Sequence, residues 1–423
     1  MNSQPFVNQD LINKISKKIR NKEFSKFVGS PEINFEKYID KSSLELLKIK
    51  SPKSFFGGKS VISFEAKWSK IVKAKYCISV NSATSALITA VMACDIGPGD
   101  EVICTPFTFT ASAAAIIAAN AIPIFCDINS DTFCLDPDAL KKKISNKTKA
   151  VMSVHWNSNA GDLLEIDKIC KKNKIFHIED ASQCHGMKYK NKYLGTIGDV
   201  GVFSFNEPKN LMTGEGGIIV TNIKKIARKS RLIRNHGENV IKSNSKKKDL
   251  INIVGYNFRL PEILAEIGLH QIKNMKFLND IRFKNYQYLI KKLKKYRNIL
   301  KPQLITNDTY FPYTVAFRII SKKKTMRKKI LEFFKKKKIP VTDGFHRLVS
   351  EHPLFEKKIA YGKFHCPYSC HLYNKEYKIS NLQTAKRLND YEYLGFYQIG
   401  WPSKISNMQK IVRAFDLFFK NKV

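Results

Sequence analysis

Residues 201–217 read GVFSFNEPKNLMTGEGG. Gly201–Phe205 has the small and apolar texture of a buried strand, and GGIIVT, from Gly216, has that of a second. A polar loop joins them. Lys209 sits inside it, four residues after Phe205, and GEGG closes it. A lysine at the end of a sheet, against apolar walls, can have a lowered pKa and serve as the amine nucleophile of a Schiff base. The glycines let backbone approach a ligand closely. The chain carries 74 Lys and Arg, so position, not residue type, singles this one out.

Upstream of this stretch, strands and helices alternate. YCISV, EVICTPF, IPIFCDI, KAVMSVHW and IFHIED read as strands, followed by DVGVFSF and GGIIVT. FEAKWSKIVKA, ATSALITAVMAC, ASAAAIIAAN, DPDALKKKI, DLLEIDKICKKN and KKIARKSRLI read as helices. Such alternation predicts an α/β domain, a mostly parallel sheet between helices, with functional loops outside the strand ends. Downstream the texture changes. A long helix is expected over Gln271–Tyr296, then a strand in YFPYTVAFRII, a helix in MRKKILEFFKKKK, a short strand in IPVTD and a last helix in SNMQKIVRAFDLFF. The expected division is an N-terminal arm over 1–60, a large domain over 61–270 and a smaller α+β domain over 271–423.

Bulk properties exclude some classes. The formal net charge is +38, which raises a nucleic-acid or acidic-lipid partner. The lysines are spread along the chain in short clusters such as Lys141–Lys143 and Lys335–Lys338, with no recognition motif. A lysine-rich solvated surface is expected, compatible with a polyanionic small substrate and with no specific nucleic acid. The most apolar window, ASAAAIIAANAIPIF, is broken by Asn120 and Pro123 and falls short of the ~18 apolar residues of a spanning helix. The N-terminus lacks the apolar core of a signal peptide. Most of the nine cysteines lie in apolar runs, which reads as reduced core thiols in a cytoplasmic protein with no membrane contact. HCPYSCH, His365–His371, offers ligand types but no second pair at metal spacing, so no metal is expected.

Four loops follow strands. NSATSAL opens a helix with Thr84 and Ser85, an anion site or simply an N-cap. TPFTFTAS places Phe109 where a ring can cover a planar ligand or pack in a core. HIEDASQCHG ends a strand in two acids. Glu179 and Asp180 should face opposite ways, and Asp180 is the better candidate to face a ligand, as the partner of a protonated heterocyclic nitrogen or simply as a capping acid. The fourth is the Lys209 loop, with Ser204 before it.

Singly these signals are weak. In this order, and followed by GYNFRLPEILAEIGLHQ, they resemble the DegT/DnrJ/EryC1/StrS aminotransferases, sugar aminotransferases of pyridoxal-phosphate fold type I. The resemblance runs from about Phe56 through Ile272 and more loosely beyond. It implies pyridoxal 5'-phosphate as cofactor and Lys209 as the lysine of the internal aldimine and the proton shuttle. Asp180 would pair with the pyridine nitrogen, Gln183 lie near the phenolic oxygen and Phe109 stack on the ring. Thr84, Ser85 and Ser204 would hold the phosphate. Asn257 would reach a phosphate from the neighbouring subunit, making a homodimer with shared sites. His155 and His185 would lie toward the substrate. The implied reaction moves an amino group from L-glutamate to a keto-sugar, nucleotide-linked, in amino-sugar or polysaccharide synthesis. Amination of a keto-cyclitol, a related dehydration, or a catalytically inactive binding homologue are the alternatives. Family dehydratases carry histidine at the lysine position, so Lys209 speaks for transamination. The departures are NSAT for NSGT, NEP before the lysine, Glu207 as an added charge beside Lys209, Met212 for a threonine, and VHWNSNAGD without the usual glycine. They put substrate identity, more than cofactor use, in question.

Overall fold

The computed structural model describes residues 57–239, 250–379 and 382–420. The expected arm over 1–60 lies outside the described residues except for its last four. Seven strands form the main sheet: β1 (Tyr76–Val80), β2 (Glu101–Cys104), β3 (Ile122–Phe125), β4 (Thr148–Val154), β5 (Phe176–Asp180), β8 (Val200–Ser204) and β9 (Gly217–Thr221). Between β5 and β8 a two-stranded ribbon, β6 (Lys188–Tyr189) and β7 (Lys192–Tyr193), stands apart. The order across the main sheet is β1-β9-β8-β5-β4-β2-β3. Neighbours from β8 to β3 pair parallel, and β9 pairs antiparallel with both β1 and β8. The strands are buried nearly throughout, which is why they read as apolar runs rather than alternating ones.

Helices cover both faces. These are α1 (Lys59–Val72), α2 (Ala83–Ala93), α3 (Thr110–Ala118), the short α4 (Pro137–Lys141), α5 (Leu163–Lys172) and α6 (Lys224–Arg234). The expected helix DPDALKKKI thus amounts to little more than one turn. One core packs around Ile78, Val102, Phe107, Met152 and Val202; another, around Phe64, Trp68, Phe203 and Phe205, lies under α1.

α7 runs from Glu262 to Leu293 and one 3-10 turn extends it to Tyr296. It begins nine residues before the expected Gln271 and passes through position 270 without interruption. The added turns pack on α1 in two ways. At Gly268 a side chain would meet Phe64 of α1, 2.6 Å from an ideal Cβ, so the glycine lets the two helices approach. Glu262 accepts from the N–H groups of Gly58 (2.6 Å), Ser60 (2.9 Å) and Val61 (3.2 Å), so a carboxylate from α7 caps α1.

Beyond α7, β10 (Leu300–Pro302), β11 (Val315–Ile319) and β12 (Tyr393–Phe396) form an antiparallel sheet of their own. With it go α8 (Met326–Lys336) and α11 (Ile405–Lys420), while the short α9 (Pro353–Glu356) and α10 (Gln383–Arg387) send Phe355 and Ala385 into the core of the main sheet. Leu289, Phe317, Phe334, Phe396 and Phe415 form the core of the smaller sheet. IPVTD contributes no strand: Thr342 makes a single bridge to Gly395. Seven of the nine cysteines are buried and all are free. No described helix is long and apolar enough to cross a membrane.

Candidate active site

The C-terminal ends of β2, β4, β5 and β8 and the start of α2 converge on a cavity of about 360 Å³. Its walls include Thr84, Phe109, His155, Asp180, Gln183, Ser204 and Lys209. Parallel strands all deliver their following loops to one edge, which is why residues so far apart in sequence meet.

Asp180 ends β5 and is buried. Its Oδ2 accepts from Ser112 Oγ at 2.7 Å and its Oδ1 from the Ser182 N–H at 3.2 Å. Glu179, one residue earlier, points to the other side. There it accepts from His155 Nε2 (2.9 Å) and from the N–H groups of Gly195 (2.7 Å), Ile197 (2.6 Å) and Gly198 (2.6 Å). The expected alternation of the two acids is observed. Burial pushes the Glu179 carboxyl up, but His155, the charge of His177 and the Gly198 N–H outweigh it and hold the group below its ordinary value.

Lys209 is half-buried in the turn after β8, its N–H donating to Asn206 O at 2.9 Å. Its Nζ lies over the face of Tyr313, 4.7 Å from the ring centroid. Burial pulls the amine below its ordinary value, and Asp180 only partly restores it. The lowered amine expected from sequence is therefore present. Glu207 is exposed and does not line the cavity; Glu215 lines it along with Asp180, and accepts from Asn206 Nδ2 at 2.7 Å.

The anion corner is narrower than expected. Thr84 and Ser204 line it, together with Ser82. Ser85 does not: it is buried, its N–H donates to Ser82 Oγ at 3.1 Å, and Ser82 is the N-cap of α2. Gly217 makes this corner possible. An ideal Cβ there would stand 2.4 Å from Ser82 O and 2.7 Å from Ala83 N, so only glycine lets β9 run against the start of α2. The last glycine of GEGG thus serves backbone against backbone. Gln183 lines the cavity with Oε1 taken by the Asn157 N–H at 2.7 Å, which leaves its amide N–H donors for a ligand oxygen. Phe109 is 68% exposed, a ring at the rim rather than in the core.

The two histidines separate. His155 lines the cavity, fixed by Glu179. His185 does not reach it. His185 is packed against Trp68, Phe203 and Phe205, and its Nε2 donates to Ser204 O at 2.8 Å. Burial drives its pKa down to about 3, against the raising effect of that bond. Asn257 is exposed and outside the cavity of its own chain.

Sequence reasoning missed Ser112 and Tyr313, and it marked VHWNSNAGD only as a departure, without the turn it makes after β4. Asn157 and Ser158 both have left-handed backbone, with φ of 55° and 71°, at a place where the resembled pattern has a glycine. Such conformations cost on the order of 1–3 kcal/mol each unless the surroundings hold them. Here they do. Ser158 Oγ donates to Gln183 O (2.5 Å) and accepts from the Tyr313 N–H (3.0 Å). Asn157 Nδ2 donates to Gln303 Oε1 (3.2 Å), and Asn157 O accepts from Tyr310 OH (3.0 Å). The turn ties the loop that carries Gln183 to the segment that carries Tyr313.

A lysine with a lowered amine, a buried carboxylate and hydroxyls at a helix N-terminus, at one edge of a mostly parallel sheet, define a site built for an anionic carbonyl cofactor. The DegT/DnrJ/EryC1/StrS aminotransferase family model matches residues 39–389. The chain belongs to that family, and its class is the pyridoxal-phosphate-dependent aminotransferases of fold type I. The Bacillus subtilis spore coat polysaccharide biosynthesis protein SpsC is 30% identical over 327 residues, 75% of this chain and 83% of that one. The GDP-perosamine synthase of Escherichia coli O157:H7 is 33% identical over 277 residues, 64% of this chain and 73% of that one. The structure of Helicobacter pylori PseC, an aminotransferase involved in pseudaminic acid biosynthesis, superposes with a TM-score of 0.77 at 26% identity, covering 90% of this chain and 96% of that one.

Proposed function

We propose that this protein transfers an amino group from L-glutamate to a ketone on a nucleotide-linked sugar, supplying an amino sugar for polysaccharide synthesis. The observation that carries the reading is the placement of Lys209, Asp180 and Gln183 around one cavity, in a chain related to a GDP-perosamine synthase.

The residues present fit pyridoxal phosphate. Lys209 would hold its aldehyde carbon, Asp180 its ring nitrogen, Gln183 its phenolic oxygen and Phe109 one ring face. Ser82, Thr84, Ser204 and the N-terminus of α2 would take the phosphate. When bound, the cofactor supplies an electron sink for a carbanion at the substrate carbon. The remaining work falls to the protein. Lys209 Nζ, lowered by burial, takes the proton from the donor's α-carbon and returns one to the acceptor's former carbonyl carbon. Asp180 would set its carboxylate beside the ring nitrogen. The exposed Phe109 and the polar rim leave room for an extended anionic substrate. Asn257, exposed and away from its own cavity, supports a homodimer in which each chain completes the other's phosphate site. Lysine at position 209, where family dehydratases carry histidine, favours transamination over dehydration.

The test is the visible spectrum of the protein mixed with pyridoxal phosphate, before and after L-glutamate. A yellow band that glutamate bleaches is expected, and Lys209→Ala should lose both the band and turnover by roughly 10³-fold or more. Transamination retained in Lys209→Ala would refute the assignment.

A further inference from the structure

Resting on that reading of the cavity, we propose that Ser112 is a positioning residue for Asp180 and that Thr108 aims it: a one-way hydroxyl relay fixing the carboxylate that meets the cofactor's ring nitrogen. Ser112 lies in the first turn of α3, and Thr108 lies in the loop just before it. Both are 1% exposed, and both line the cavity. Ser112 Oγ donates to Asp180 Oδ2 at 2.7 Å, and Thr108 Oγ1 is 2.9 Å from Ser112 Oγ. A serine hydroxyl has one proton. Asp180 takes it, so the Thr108 hydroxyl must be the donor to Ser112. The chain of bonds therefore has a direction, and it ends on the carboxylate.

This use of Ser112 is not what its place in the helix dictates. A serine in the first turn of a helix ordinarily caps locally or faces water. Here the hydroxyl reaches across 68 positions of sequence to another strand end. The Ser182 N–H holds the other carboxylate oxygen. With each oxygen tied from its own side, the carboxylate cannot turn without losing a bond. Its remaining acceptor positions are left for the cavity that Asp180 lines. The same short segment carries Phe109, between Thr108 and Ser112, so one turn supplies both the cover of the ring and the support of its nitrogen partner. A hydrogen bond to a carboxylate is about twice as strong as a neutral one, so without the Ser112 donor the carboxylate is free to turn away from the ring, and that loss of aim is what should be felt there.

The experiment uses the holoenzyme loaded with pyridoxal phosphate labelled with nitrogen-15 in the ring, read by NMR across pH. In the unaltered protein the ring nitrogen should be protonated. In Ser112→Ala its protonation midpoint should fall by about one pH unit, with a loss of about tenfold in kcat/KM. Ser112→Thr, which restores a hydroxyl, should recover most of both. If Ser112→Ala does not fold, Thr108→Val keeps Ser112 but removes its aiming donor and should move the midpoint the same way by less. A merely structural serine would lower the melting temperature and leave the midpoint in place; that result overturns the relay. A ring nitrogen already neutral in the unaltered protein would sink the pairing with Asp180 itself, and the relay with it. The reading of the protein as a lysine-dependent transaminase is judged separately, by the band and turnover of Lys209→Ala.

Discussion

Glu179 and Asp180 are neighbours on β5 and face two differently built regions. A carboxylate has about four acceptor positions. On the closed side, Glu179 is fully buried and receives four donors: three backbone N–H groups and His155. On the cavity side, Asp180 receives two, from Ser112 and Ser182. The same functional group is thus finished as structure on one face and left unfinished as a site on the other. Satisfied acceptors stabilise; a held but unfilled one waits for a ligand.

The largest effect expected of the comparison is at the open side. Asp180→Asn keeps shape and, with its one oxygen toward Ser112, the Ser112 bond, but it gives up the Ser182 N–H bond and removes the charge beside the ring nitrogen. Turnover should fall by roughly 10²-fold or more, while the thermal midpoint of the cofactor-free protein stays within a few degrees. Steady-state kinetics alongside a melting curve checks both halves. An active Asp180→Asn would mean that the open side is not the reacting side.

Glu179→Gln should show the reverse pattern. An amide brings an NH₂ against N–H donors, so at least one buried donor loses its acceptor, and the pairing with His155 weakens. Breaking a buried pair of this kind costs about 3 kcal/mol. The thermal midpoint should drop clearly, and activity per folded molecule should change far less than in Asp180→Asn. The pH dependence separates the two acidic contributions. Glu179 has a folded pKa below its ordinary 4.5, so its stabilisation is full above pH 4.5 and is lost as pH falls through the folded value. His185 has a folded pKa of about 3 against an ordinary 6.5, so protonation of the unfolded chain destabilises the protein progressively from pH 6.5 down to about 3. Melting curves over this range should show the variant keeping the decline that starts near pH 6.5 and losing part of the further decline below 4.5, the rest coming from Asp167 and Asp416, whose carboxyls are also held low. An unchanged acid profile in Glu179→Gln would remove Glu179 from the account.

The sequence made much of this readable, and the reasons are physical. Buried parallel strands are apolar runs with a fixed length, and period two separates Glu179 from Asp180 without any structure. Asp180 and Ser204 end strands, and Lys209, Gln183, Phe109 and Thr84 follow them, so the fold brings them all to one edge. Ser85 and His185 sit beside readable positions, but capping geometry and the Trp68 cluster decide where they point, and no local pattern encodes either. Ser112 acts across strands. Tyr313 comes from the segment leading into β11, some hundred positions after Lys209, and spacing says nothing about such a contact. Asn157 and Ser158 defeat propensity outright: their left-handed backbone is held by partners as distant as Gln303, Tyr310 and Tyr313. IPVTD had strand composition, but only Thr342 found a bridging partner.

Phe109 sharpens the comparison at its smallest amplitude. At 68% exposure it contributes little to the core, so Phe109→Ala should leave the melting temperature of the cofactor-free protein nearly unchanged. On bound cofactor the ring would cover one face, and an offset aromatic contact is worth about 0.5–1.5 kcal/mol beyond the area it buries. Cofactor affinity should therefore weaken by about three- to tenfold, measured by titrating the visible band. Phe109→Tyr should restore it, since the stacking face is kept. The opposite result is equally definite. A loss of apo stability with affinity unchanged would make Phe109 a packing residue. The open side of the sheet would then end at Asp180 and Lys209 rather than extend to the rim.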